Sequence, residues 1–167
     1  MEMQAFIVFV IPFAIVAYLA CLLFTQPSRG VLLASLLSGL VMSILNALVD
    51  LLAYALHWWH YSLDGLTFHL PLPFYIGVFL FFGSVALLLI WRFRTGRYAW
   101  ISRVLLIVTP LLGFARDLGS AIDGTSYLRW DSPLAGPIDL VMWLIMFYAG
   151  YWLFKQFAPA REAIVAP

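Results

Sequence analysis

Charge is what this sequence has least of. Only 10% of its 167 residues are Asp, Glu, Lys or Arg, 65% are hydrophobic, and mean hydropathy is +1.00. Soluble domains are about half apolar and about a quarter charged, so this composition excludes a soluble globular domain. The nine Lys and Arg against eight Asp and Glu give a net charge of +1. A nucleic-acid binder needs a basic patch on a solvated surface, so that class is set aside. Cysteine is nearly absent as well. With Cys21 alone, an internal disulfide and a multi-cysteine zinc or iron–sulfur site are both excluded within one chain. The residues Tyr18-Leu19-Ala20-Cys21 fit a lipoprotein cleavage box poorly, and no basic residue precedes the first apolar run, as a signal peptide requires. The first helix is expected to be retained.

What the sequence has in abundance is long apolar runs separated by short polar breaks. About 20 apolar residues span a bilayer core, and runs of that length predict helices over 5–24, 31–56, 72–91, 100–121 and 138–154. The expected fold is all-α, a polytopic integral membrane bundle of about five helices forming one domain over 1–157, with a frayed tail over 158–167. The breaks carry turn chemistry. Pro27 and Gly30 follow the first run, Gly96 lies among arginines after the third, and Pro71 and Pro73 sit where proline is tolerated, at a helix start. Pro110 is expected to kink the fourth helix. His57-Trp58-Trp59-His60-Tyr61 reads as an interfacial aromatic belt, because indole and phenol rings are apolar bodies with one polar handle.

Basic residues in short loops stay on the cytoplasmic side of a membrane. Alternating five helices puts Arg29, Arg92, Arg94, Arg97, Arg103, Lys155 and Arg161 at one end and only Arg116 and Arg129 toward the other. The amino terminus is therefore expected outside and the carboxyl terminus in the cytoplasm, in a cell-membrane protein. Asp50, Asp64, Asp117, Asp123, Asp131 and Asp139 then share the outer half with His57, His60 and His69. Any chemistry is expected near the outer face.

A weak internal repeat has the same layout. Asn46 to Asp50, the aromatic group 57–61 and Pro71-Leu72-Pro73 precede the third helix, and Phe114 to Asp117, Tyr127 to Trp130 and Gly136-Pro137 precede the fifth. Both units run in the same direction through the membrane, which suggests a parallel repeat of helices two–three and four–five.

On the second helix Ser35, Gly39, Ser43, Asn46, Asp50, Tyr54 and His57 recur at spacings of four or three and so share one face. The fourth helix shows Thr109, Gly113, Arg116, Asp117, Ser120 and Gly124 at the same period. An ionisable residue at a helix centre costs on the order of 2.5–3.5 kcal/mol on insertion scales, so Asp50 and Asp117 are expected to point inward, and the two faces to meet. Besides ligand or ion binding, two readings of the stripe stand side by side. In one, Asp50 and Arg116 form a buried ion pair that fixes helix register, with Asn46 and Ser43 bridging helices. In the other, one desolvated carboxyl is a proton donor while the second stays charged beside arginine. His57, His60 and His69 lack the tight spacing of a zinc signature, so no metal and no cofactor is expected. Asp139, two residues after Pro137, reads as an acid favoured by the helix N-terminus, and Gly77 and Gly83 as close-packing positions.

The stretch Asp50, His57-Trp58-Trp59-His60-Tyr61, Asp64-Gly65, Leu70-Pro71-Leu72-Pro73 and Phe79-Leu80-Phe81-Phe82 resembles the membrane lycopene cyclase and related carotenoid-biosynthesis families, over about residues 46–83 with an echo at 113–150. Those families lead from an acid-bearing helix through a tryptophan–tyrosine loop and a proline motif to an aromatic helix. The acidic residues of their proline motif are absent, since Phe74 and Tyr75 follow Pro73. What the resemblance implies is an architecture of repeated helical units and a preference for long apolar isoprenoid substrates.

The first functional expectation is an isoprenoid- or lipid-handling membrane enzyme of the acid–base type. Asp50, Asp117 and Arg116 are its catalytic candidates, and Asn46, Tyr54, His57, Trp58, Trp59 and Tyr61 line the substrate. The alternatives are a noncatalytic small subunit packed on a larger membrane protein or on copies of itself, and a transporter or channel component.

Overall fold

The computed structural model describes residues 6–123 and 127–159. Among the described residues, five helices are long and apolar enough to cross a membrane: α1 (Ile7–Thr25), α2 (Arg29–Ala55), α3 (Leu72–Arg92), α4 (Ala99–Asp123) and α5 (Ala135–Phe157). The protein is an all-helical integral membrane protein. Each boundary has a local cause. Ser28, after Pro27, caps α2 by accepting from the Val31 N–H. Pro73 occupies the first turn of α3, where its missing N–H costs nothing. Pro110 is buried within α4 and does not end it. The helix α5 starts three residues earlier than the apolar run alone suggests, because Gly136 and Pro137 fit inside its first turn. Gly124 and the tail from residue 160, including Arg161, lie outside the described residues.

The helices α2, α3, α4 and α5 form a ring in which each packs on its two neighbours, and α1 lies outside it, mainly against α3. Burial follows this plan: 67% of an apolar 18-residue stretch of α3 is buried but only 12% of the corresponding stretch of α1. Small residues set the closest crossing. Gly39 of α2 meets Gly83 of α3 so tightly that a Cβ on Gly83 would fall on the Gly39 backbone. Elsewhere the Trp143 ring of α5 lies on Gly113 of α4, and Met42 of α2 lies on Gly150 of α5. The core of Met42, Leu87, Leu88, Trp143, Met146 and Phe147 fills the centre of the ring.

The middle of α3, Val78–Val85, is π-helical. Such a segment widens the helix and is frequent at functional sites. Polar groups of α2 face this helix: Ser43 donates to the Tyr75 carbonyl at 3.0 Å, and the Ser35 and Ser84 hydroxyls are 2.8 Å apart.

The two aromatic loops at one end are joined by an antiparallel ribbon that hydropathy does not foretell. The strand β1 (Trp59–Tyr61) pairs with β2 (Leu128–Trp130) in the register Trp59 to Trp130, His60 to Arg129 and Tyr61 to Leu128. Hydrogen bonds from Ser62 N to Tyr127 O and from Asp131 N to Trp58 O extend it. Beneath it Trp59, Leu128, Ala53 and Ala135 form a second buried cluster, so the ribbon closes that end of the ring.

Candidate functional site

Asp50 is the hub of the ribbon end. It lies in the second-last turn of α2, and three side chains donate to its carboxyl: Trp59 Nε1 to Oδ1 at 3.0 Å, Tyr61 OH to Oδ2 at 2.9 Å and Tyr75 OH to Oδ2 at 2.7 Å. One buried carboxylate thus fastens α2, β1 and α3 together. Burial, reinforced by the Asp50 charge, holds the Tyr61 phenol well above its ordinary pKa of 10, so it remains a donor.

The ion pair between Asp50 and Arg116 does not form. Arg116 pairs with its neighbour in the chain: Nε and Nη2 lie 2.8 and 2.7 Å from Asp117 Oδ1, and Trp143 Nε1 donates to Asp117 Oδ2 at 2.7 Å. Nor do the polar faces of α2 and α4 meet directly. Those helices stand across the ring from one another, and Phe82 of α3 and Trp143 of α5 touch between them with ring centroids 4.9 Å apart. The guanidinium lies over both rings, 5.7 Å from Phe82 and 5.4 Å from Trp143. A planar cation stacked on aromatic faces and bonded to an adjacent carboxylate needs no contact with Asp50.

Asp139 is the residue that sequence reasoning misplaced. Because α5 begins at Ala135, Asp139 falls in the second turn rather than at the helix start, and its side chain is 2% exposed. Its Oδ2 has no hydrogen-bond partner among the described residues. Asp117, Asp50 and Arg116 are the charges that act on it. Setting Pro137 against Pro73 in the repeat would put Asp139 in the place of Tyr75, a signal that the sequence does carry.

A cleft of about 200 Å³ opens beside this cluster. Phe13 and Ala14 of α1, Phe74, Gly77, Phe81 and Phe82 of α3, Arg116 of α4 and Tyr127 line it. The π-helical turn contributes Phe81 and Phe82. Tyr127 connects the cleft to the Asp50 network, being stacked on Tyr61 at 6.5 Å and set edge-on to Phe74 at 4.7 Å.

The remaining expected site residues divide between two places. Trp59 and Tyr61 belong to the Asp50 network. Asn46 is buried but turns toward α5, with Nδ2 3.6 Å from Met142 Sδ. Tyr54 and His57 lie at the surface, Tyr54 stacked on His69 at 4.0 Å and His57 in a left-handed turn with φ 54°. Trp58 lines a separate apolar groove between α2 and α5. His60 pairs with Asp131 at 2.7 Å on the outer face of the ribbon, and no group of three metal-ligating side chains occurs among the described residues. Comparison with family models, curated proteins and solved structures gives no match to this chain, so its function is argued from this geometry.

Proposed function

We propose that this protein handles a long apolar lipid of isoprenoid type at the cleft, near the outer leaflet, with the carboxyl groups behind it serving as acid–base catalysts. One observation carries the reading. The aromatic cleft beside the π-helical turn has Arg116 in its wall, and Arg116 is paired with the buried Asp117 and, with Asp117 and Asp50, is one of the charges that act on the buried Asp139. Apolar walls with a few convergent polar groups are the usual form of a small-molecule site. The carboxyls divide by their partners. Asp117 is matched by Arg116 and Trp143, and Asp50 by three donors, whereas Asp139 Oδ2 has none. A buried carboxylate with neither counter-ion nor donor is costly, and the neutral acid removes that cost. We therefore assign the exchangeable proton to Asp139, with Asp117 and Arg116 as the fixed ion pair beside it.

The reaction type this supports is an isomerisation. Asp139 gives its proton to one carbon of the substrate, a carboxylate of the cluster takes one from another, and that proton passes back to Asp139 before the next turnover, so no oxidant, reductant or second substrate is consumed. Purification in mild detergent, lipid extraction and mass spectrometry test the reading. A retained isoprenoid that the wild-type protein converts, and the Asp139→Asn variant binds unconverted, is the expected result. Recovery of the protein with a stoichiometric partner polypeptide and no lipid overturns it in favour of a noncatalytic subunit.

A further inference from the structure

The lipid-cleft reading leaves open what the bound end of the lipid looks like, and the Arg116 side chain restricts it. Arginine offers five N–H donors and no acceptor. Two of Arg116's are used on Asp117 Oδ1, which leaves three, and no other hydrogen-bond partner for them occurs among the described residues. The side chain is 31% accessible and forms part of the cleft wall. A group seated there must accept hydrogen bonds.

Charge decides among the acceptors. Asp117 already balances the guanidinium, so a phosphate or carboxylate would add an unmatched negative charge to a poorly solvated place that already holds the Asp117 and Asp50 carboxylates. A neutral carbonyl oxygen meets both conditions. Size and shape point the same way. The cleft, about 200 Å³ against the ~150 Å³ of an apolar cavity that accepts benzene, takes one ring and not a whole long lipid. Phe74 and Tyr127 set edge to face, with Phe81 and Phe82, supply flat walls for such a ring. On the basis of the lipid-cleft reading, we infer that the site takes the neutral, carbonyl-bearing ring end of an isoprenoid lipid, quinone-like in its chemistry, with the carbonyl oxygen on Arg116 and the tail leaving past the largely exposed Phe13 into the bilayer.

Three probes and two variants test this in neutral detergent, read by isothermal titration calorimetry: a benzoquinone with a short isoprenyl tail, the ring hydrocarbon with the same tail, and a prenyl phosphate of similar length. The quinone is expected to bind roughly ten- to a hundredfold tighter than the hydrocarbon, the factor of a charge-assisted hydrogen bond. The prenyl phosphate is expected to bind no tighter than the hydrocarbon. Arg116→Lys keeps a cation beside Asp117 but loses the planar fork, and should reduce the quinone preference to near unity while hydrocarbon binding persists. Gly77→Leu grows into open space, since a Cβ there meets nothing within 4 Å, and should weaken all binding by filling the cleft. Equal affinity for quinone and hydrocarbon, or a preference that survives Arg116→Lys, overturns the carbonyl assignment and leaves the lipid cleft standing. Tighter binding of the phosphate overturns it in favour of an anionic head. Binding unaffected by Gly77→Leu removes the cleft itself, and with it both readings. Should Arg116→Lys not fold, the order of the three probes on the wild-type protein and the Gly77→Leu result decide the matter alone.

Discussion

Tyr75 donates its hydroxyl to Asp50 at 2.7 Å, and that bond ties the first turn of α3 to the ribbon end of α2. Trp59 and Tyr61 bring β1 to the same carboxyl, so removing it releases three buried or half-buried donors at once. Asp50→Asn is tolerated better than that count suggests, because a phenol both donates and accepts. The amide can turn its NH2 toward Tyr61 and Tyr75 and its oxygen toward the Trp59 N–H, which only donates. A loss of about 1–3 kcal/mol is expected for Asp50→Asn and more for Asp50→Leu, which strands every donor. Thermal unfolding in detergent checks the order. If Asp50→Asn keeps its stability and still loses turnover by about 10²–10⁴-fold, Asp50 is itself the acid. If it is destabilised and as active per folded molecule, the role is to fasten the ribbon.

The Tyr61 phenol gives a pH dependence whose sign is fixed. Its folded-state pKa is raised well above 10 by burial first and the Asp50 charge second, while in the unfolded chain it returns to the ordinary value. The unfolded state therefore loses its proton first as pH rises. Stability from this group is fully present below about pH 10 and is lost between there and the higher folded-state pKa. Tyr61→Phe removes that contribution. It should be less stable at neutral pH by about 1.5–3 kcal/mol, the worth of a hydrogen bond to a charged group, and should show a shallower loss above pH 10. Chemical unfolding at a series of alkaline pH values measures both. A variant with an unchanged alkaline slope would show that Tyr61 does not titrate with unfolding.

Orientation can be read directly. With Arg29, Arg92, Arg94 and Arg97 at the end away from the ribbon, a reporter fused after Pro167 should be cytoplasmic, and one inserted between Ser62 and Leu66 external. The opposite pattern turns the molecule over and moves the cleft toward the inner leaflet.

How legible the molecule is from its sequence depends on whether a feature is local. The five spans follow from apolar length, and their ends from Ser28, Pro73 and the glycines, within a few residues. The stripe on α2 is legible as a face, since Ser35, Gly39, Ser43, Asn46 and Asp50 are all buried. Where the face points is not, because Ser35 and Ser43 turn to α3, Asn46 to α5 and Asp50 to the ribbon. The ribbon pairs Trp59 with Trp130, 71 positions away, and no local period encodes such a contact. Arg116 chose Asp117 over Asp50 because Phe82 and Trp143 stand between α2 and α4, a fact of ring packing rather than of spacing. Asp139 was hidden by a helix boundary. A start at residue 138 makes it an ordinary helix-start acid, and a start at Ala135 buries it.

Asp139 therefore offers the sharpest separation of function from structure. Most buried carboxyls are anchored, and their removal strands a partner; Asp139 Oδ2 has no hydrogen-bond partner among the described residues. Asp139→Leu has the same branching at Cγ with bulkier methyl groups, buries apolar surface in place of an unsatisfied oxygen, and should leave stability unchanged or raise it by up to about 2 kcal/mol where the ring of helices accommodates the methyls. Asp139→Asn keeps the shape without the exchangeable proton. Both should lose turnover, by about 10²–10⁴-fold if the carboxyl is the general acid. Infrared spectroscopy gives a signal that packing alone does not produce: the carbonyl stretch of a protonated carboxylic acid, present in the wild type, unshifted by replacing Asp50 and absent from both Asp139 variants. A protein stabilised by Asp139→Leu and inactive would mark a position kept for chemistry at the expense of packing. Loss of more than about 2 kcal/mol in both variants, with activity retained per folded molecule, would show instead that Asp139 holds the ring of helices together, and the proton would have to be sought on Asp50.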